Sequence, residues 1–140
     1  MAFWDWPHDE NLAATESAIE LMLRDVASGK ARYWTLRLGS DGPFVGLCDL
    51  SDIQAGHSAD IGFMLERRFW GAGLAREAVA CLMEHARSLG LKTITARIHS
   101  GNHRSARLLE RSGFREVETL ADYEIRPGVY RDCKRYEVKL

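Results

Sequence analysis

Cysteine is scarce in this chain, with Cys48, Cys81 and Cys133 the only three and none close to another. Neither a disulfide framework nor a Cys-x-x-Cys metal site can be built from them, so all three read as small buried residues of a protein from a reducing compartment. Long apolar runs are missing too. No stretch approaches the roughly 20 apolar residues that span a bilayer, and the N-terminus lacks a basic segment followed by an apolar run. A cytoplasmic protein without membrane contact is expected. Charge of one sign is also absent: 19 basic residues face 20 acidic ones for a net charge of -1, and the two are interleaved. That balance gives no electrostatic case for a nucleic-acid partner. Repeats, low-complexity tracts, linkers and metal-ligand clusters are not found either.

What is present suits one core. At 140 residues and 46% hydrophobic, the chain supports a single domain over residues 1–140. Met1 to Asn11 is aromatic and irregular, and Trp4 and Trp6 must pack somewhere. Ile19, Met22, Leu23 and Val26 share one helical face between about Leu12 and Ser28, with a capping-box-like Ser17/Glu20 pair inside and Gly29 at the end. Strands at about Ala31 to Leu38 and Phe44 to Leu50, joined by Gly39-Ser40-Asp41-Gly42-Pro43, predict a hairpin. A strand from Ala59 to Leu65, a helix with the stripe Leu74, Ala78, Leu82, Ala86 and Leu89 closed by Gly90, and a strand from Thr93 to Ile98 form a crossover unit. Such a unit is right-handed and sets its two strands parallel. A helix from Asn102 to Gly113 and two strands, about Arg115 to Ile125 and Val129 to Lys139, complete an α/β (α+β) chain with a mixed sheet flanked by helices.

Between the third strand and the second helix lies Arg68-Phe69-Trp70-Gly71-Ala72-Gly73-Leu74-Ala75. Its two glycines let backbone approach an anion closely, and the helix that follows offers unpaired N–H groups and its positive dipole end. No Gly-Lys-Ser/Thr follows, and Arg76 stands where a dinucleotide fingerprint has its third glycine. The remaining pattern, Arg-x-x-Gly-x-Gly, resembles the acyl-CoA pyrophosphate loop of the GNAT superfamily of N-acetyltransferases. A plain strand-to-helix turn would carry the same glycines. A second segment, Asn102-x-x-Ser105-x-x-Leu108-Leu109-Glu110-x-x-Gly113-Phe114, resembles the corresponding segment of RimJ/RimL-type GNAT enzymes. Asp60-Ile61-Gly62-Phe63 and Tyr130-Arg131-Asp132 resemble the same branch, and the likeness runs over about residues 30 to 140.

The resemblance implies a GNAT-like acyl-CoA N-acyltransferase fold and acetyl-CoA as cosubstrate, its acetyl group passing directly to an amine without a covalent enzyme intermediate. A main-chain N–H near Met64 or Leu65 would polarise the thioester carbonyl. Backbone N–H groups over Phe69 to Ala75, including Gly71, Ala72, Gly73 and Leu74, would hold the pyrophosphate, with charge from Arg68. Asn102 would cap its helix and contact the pantetheine, and Ser105 would protonate the leaving thiolate, although a serine at that place can simply favour helix initiation. Arg104, Arg107 and Arg111 have the spacing of a solvated stripe; the resemblance brings Arg104 or Arg107 to the 3′-phosphate of CoA. Leu109 stands where many relatives carry a tyrosine and cannot donate a proton.

No general base declares itself. Asp60 is the candidate within the strand that lines the site, with His57, Glu66, His99 and His103 nearby, and each also reads as a surface or packing residue. Without a strong base a weakly basic acceptor is favoured: deprotonation at pH 7 costs about 4.6 kcal/mol for a lysine amine and about 1 kcal/mol for an α-amine. The strand and helix with which GNAT domains begin have no counterpart before Phe3. That leaves a strand edge and an acceptor pocket to be completed by a homodimer partner. Two other classes stay open: a CoA-binding regulatory module without catalysis, and an arginine-rich adaptor whose binding would fall steeply with salt.

Overall fold

The computed structural model describes residues 12–126 and 128–140. The aromatic segment holding Trp4 and Trp6 and the turn residue Pro127 lie outside the described residues. The order of elements is α1 (Leu12–Ala27), β1 (Arg32–Arg37), β2 (Phe44–Gln54), β3 (Ser58–Leu65), a short 3-10 turn (Arg67–Phe69), α2 (Leu74–Ser88), β4 (Thr93–His99), α3 (His103–Arg111), β5 (Arg115–Arg126) and β6 (Val129–Lys139). The six strands form one sheet in the order β1-β2-β3-β4-β6-β5. β3 and β4 are parallel and every other pair is antiparallel, so both the hairpin and the crossover expected from the sequence are present.

Strand alternation sends Cys48, Leu50, Ile61, Ile94, Ala96 and Tyr136 into one cluster with Val79, Leu82, Met83 and Ala86 of α2 and Leu109 of α3. Leu50, Ile94, Leu109 and Val79 are fully buried; each contributes about 1.5–3 kcal/mol relative to an exposed position. The expected α2 stripe is buried at Ala78, Leu82 and Ala86, while Leu74 and Leu89 at its ends are partly covered. Gly90, at φ 73°, ends α2: its N–H reaches the Arg87 carbonyl and the Leu91 N–H returns to Ala86, a cap that needs a left-handed residue.

Three differences from the sequence reading have local causes. β2 continues past Leu50 to Gln54, because a register shift between Ser51 and Gln54, with Asp52 at φ 47°, lets the polar residues pair despite their turn-like composition. Cys48 and Cys133 are buried but Cys81, on α2 beside the groove that it lines with Trp34 and Cys48, is exposed; none of the three is in a disulfide. The stripe of α1 is helical as expected, yet α1 buries no residue, with Ile19, Leu23 and Val26 exposed. The Ser17/Glu20 pair lies inside α1 and does not mark its start.

β3 and β4 pair only at Ser58–Thr93, Ala59–Ile94 and Asp60–Thr95. Beyond that point they part, each remaining paired to its other neighbour through Leu65 and His99. The result is a fork that opens toward the strands' C-terminal ends. No described helix is long and apolar enough to cross a membrane.

Candidate active site at the strand fork

The fork encloses a cleft of about 260 Å³ lined by Ile61, Gly62 and Phe63 on one arm and Ala96, Arg97, Ile98 and His99 on the other. Asp49, Ser51, Asp52 and Asp60 close one side, and Asn102 and Ser105 stand at the other. Asp60 and Ser105, far apart in sequence, therefore face one space. Its walls are apolar where the strands diverge and carboxylate-rich beside β2.

The carboxylates differ in setting. Asp60 sits on the last paired rung of the fork, where its Oδ1 accepts a hydrogen bond from the Thr95 hydroxyl. Burial raises its pKa first and Asp52 adds to the rise, while Arg97 and Arg135 pull it down. Asp49 lies two rungs further toward the open end, paired across β2 and β3 with Gly62. A Cβ at Gly62 would overlap Asp49 Oδ1, so the carboxylate occupies the space that a side chain there would fill. Burial pushes Asp49 up to about 6, against a hydrogen bond from Ser51 that lowers it and with help from the Asp60 charge. Asp49 escaped the sequence reading. In Gly46-Leu47-Cys48-Asp49-Leu50 it has the position of an ordinary outward residue of an alternating strand, and only its pairing with a glycine marks it out.

At the other side, Asn102 caps α3, its Oδ1 accepting from the Ser105 N–H at 3.1 Å. That cap fixes the first turn of α3 against the cleft and holds Ser105 on its rim. Leu109 packs in the core and offers the cleft nothing.

The glycine loop continues from β3. Glu66 follows the strand, the 3-10 turn Arg67–Phe69 comes next, and Gly71 and Gly73 take φ of 86° and 81°. Nothing lies within 4 Å of a Cβ built on either, so backbone conformation rather than crowding sets the need for glycine. Gly73 is the N-cap of α2, and among the described residues it gives that helix no side-chain cap for its first N–H groups. Leu74 and Ala75 thus begin α2 with donors turned out of the helix. Trp70 ties the loop to the fork: its Nε1–H donates to the Leu65 carbonyl at 2.9 Å, and Arg67 and Arg104 both lie over its ring. Arg68 pairs with Glu66 at 2.7 Å and covers Phe69. Arg104 and Arg107 are exposed on α3. Met64 and Leu65 close the β3 arm between cleft and loop.

The other candidates are dispersed. His99 lines the cleft, whereas His103 is exposed on the first turn of α3 and His57 lies in the β2–β3 turn. Among the described residues no group of His, Cys, Asp and Glu is placed to hold a metal ion.

The family model for the GNAT acetyltransferase domain matches residues 1–115. An uncharacterized N-acetyltransferase of Bacillus licheniformis is 33% identical over 110 residues, 76% of this chain and 62% of the relative. A ribosomal protein uS5-alanine N-acetyltransferase of Escherichia coli is 28% identical over 107 residues, 74% of this chain and 55% of the relative. The chain thus spans less than two thirds of the length of either relative. Among solved structures, a Vibrio cholerae spermidine N-acetyltransferase in complex with CoA and spermine superposes with a TM-score of 0.82 at 22% identity, covering 98% of this chain and 80% of that one. At that identity the likeness speaks for the fold.

Proposed function

Because this chain belongs to the GNAT acetyltransferase family, we propose that it transfers the acetyl group of acetyl-CoA to a primary amine by direct attack in a ternary complex. The acceptor is a protein N-terminal α-amine or a small-molecule amine. The observation that carries this reading is convergence: the strand fork, the glycine loop and the capped start of α3 meet at one edge of the sheet, and the cleft between them offers carboxylates to a cation.

The residues divide the work by chemistry. The N–H groups of Gly71 to Ala75 suit a pyrophosphate, since the N-cap Gly73 offers no capping side chain and the loop lies at the positive end of α2. Arg68 adds charge from the exposed side of the loop, and Arg107 is within the reach of α3 for a further phosphate. The gap between β3 and β4 admits an extended arm, and a main-chain N–H at Met64 or Leu65 can donate to the acetyl oxygen where negative charge develops. Asn102 holds the first turn of α3 so that Ser105 can give a proton to the leaving thiolate. Asp60, fixed by Thr95, attracts and orients the acceptor.

Calorimetric titration with acetyl-CoA, on the wild type and on Gly71→Val, tests the loop. Binding to the wild type alone is expected, and equal binding to both would remove the loop from the proposal. Thiol release with spermidine and with alanyl tripeptides then tests transfer. A second reading, a CoA-binding regulatory module, draws on Leu109, which leaves no tyrosine acid at the cleft; binding without acetyl consumption would select it. We further propose a reducing, cytoplasmic setting and a homodimer that covers α1.

A further inference from the structure

We propose that Asp49 is the catalytic base that takes the proton from the acceptor nitrogen. The inference rests on the acetyl-transfer reading and goes beyond it by naming a residue that neither the motifs nor the family match singles out. Position comes first. Asp60 lies at the closed end of the fork, its carboxylate engaged by the Thr95 hydroxyl. Asp49 lies two rungs beyond, against Gly62, where β3 has already left β4 and the gap is open. Gly62 has no side chain, and the space it yields belongs to the Asp49 carboxylate. A group that enters the fork from the loop therefore meets Asp49 before Asp60.

The surroundings prepare Asp49 for proton transfer near neutrality. Asp60 and Gly62 face it from β3, Tyr33 from β1, and Ser51 and Asp52 from its own strand; Arg97 and His99 of β4 and Asn102 and Ser105 of α3 share the cleft. Tyr33 also feels Asp25 of α1. Arg97 is drawn away, lying over the Tyr123 ring with its Nη1 donating to the Tyr123 hydroxyl at 3.1 Å. Burial thus dominates, outweighing the Ser51 hydrogen bond that opposes it, with a smaller rise from the Asp60 charge, and the carboxyl is pushed up to about 6, above the usual carboxylate range. A base ionised just below working pH is both present and strong enough to accept a proton.

In the step itself the acceptor nitrogen uses its lone pair to form a C–N bond to the acetyl carbonyl carbon, and its excess proton passes to an Asp49 oxygen. The C–S bond breaks, its electron pair leaves on sulfur, and the thiolate takes a proton from the Ser105 hydroxyl to end as CoA thiol, the Ser105 oxygen regaining a proton from solvent. Asp49 then returns its proton to solvent.

The experiment is the pH profile of kcat/KM for thiol release, with acetyl-CoA and the better of spermidine and alanyl tripeptide, on the wild type, Asp49→Asn and Gly62→Ala. The wild type should gain about tenfold per pH unit below about pH 6 and level off above it. Asp49→Asn should lose about 10²–10⁴-fold and the acid limb with it, while its calorimetric affinity for acetyl-CoA persists. Gly62→Ala, whose Cβ must displace the carboxylate, should lose activity in the same direction. A flat wild-type profile from pH 5 to 8 would overturn the assignment, as would Asp49→Asn retaining activity within about threefold and keeping the limb. If the wild type binds acetyl-CoA but turns over neither amine, the transfer reading itself has failed and this inference falls with it.

Discussion

Asp49 illustrates how a site residue can destabilise the fold that holds it. Its folded pKa is raised from 3.8 to about 6 by burial, so its stabilising contribution is complete below the unfolded pKa and is lost as pH rises through the folded one. Between pH 4 and 7 the wild type should lose up to about 2–3 kcal/mol from this group alone. Asp49→Asn should therefore unfold at higher denaturant than the wild type at pH 7.5, with the difference vanishing below pH 4; identical midpoints at both pH values would contradict it. Trp70 makes the opposite case, since its indole supports the loop from outside the core. Trp70→Phe removes the bond to the Leu65 carbonyl, worth about 1 kcal/mol, and should weaken acetyl-CoA binding by about tenfold as the loop loosens. An unchanged dissociation constant would detach Trp70 from loop positioning. Residues of this kind were unequally legible. Gly71, Gly73 and Asn102 announce themselves because their backbone roles are encoded in residue type, whereas Asp49 depends on which residue lies opposite it, and pairing is not written along the chain.

For single elements, sequence and structure agree best where a glycine or a cap marks an end. α3 begins at Asn102 and ends before Gly113 as its motif implies. Asn102→Ala should cost about 1 kcal/mol through the cap, measured as a lower melting temperature. Asn102→Asp should keep the cap and recover that stability. If both variants lose acetyl-CoA affinity equally, Asn102 contacts the cosubstrate beyond its cap. β2 extends four residues beyond what its pattern suggests, because Ser51-Asp52-Ile53-Gln54 has the composition of a turn. A bulge at Asp52 absorbs the mismatch and keeps the strand in the sheet. α1 was legible as a helix but not in its packing, since periodicity reports an apolar face and not what covers it.

At the scale of the whole molecule, the first hairpin and the parallel crossover pair are visible in the pattern of breakers between apolar runs, whereas the place of β6 between β4 and β5 is not. What covers the β1 edge was not. β1 ends the sheet, and beside it α1 leaves Leu12, Leu21 and Leu23 more than half exposed. Apolar surface of that extent is costly in water, and a second copy of the chain is the proposed cover. Light scattering at micromolar concentration should give a dimer mass, and Leu23→Glu should shift it toward monomer. A monomer mass for the wild type across that range would refute the homodimer.

The fork also has a signature in time. Past Asp60 and Thr95 the two inner strand edges have no rungs between them, so peptide protons directed into the gap can exchange with solvent without the sheet unfolding. Those on the outer edges, paired to β2 and β6, are locked. An extended arm lying in the gap would serve as the absent rung. Deuterium uptake over residues 61–65 and 96–99 should then slow when acetyl-CoA is added, while the rest of the sheet keeps its pace.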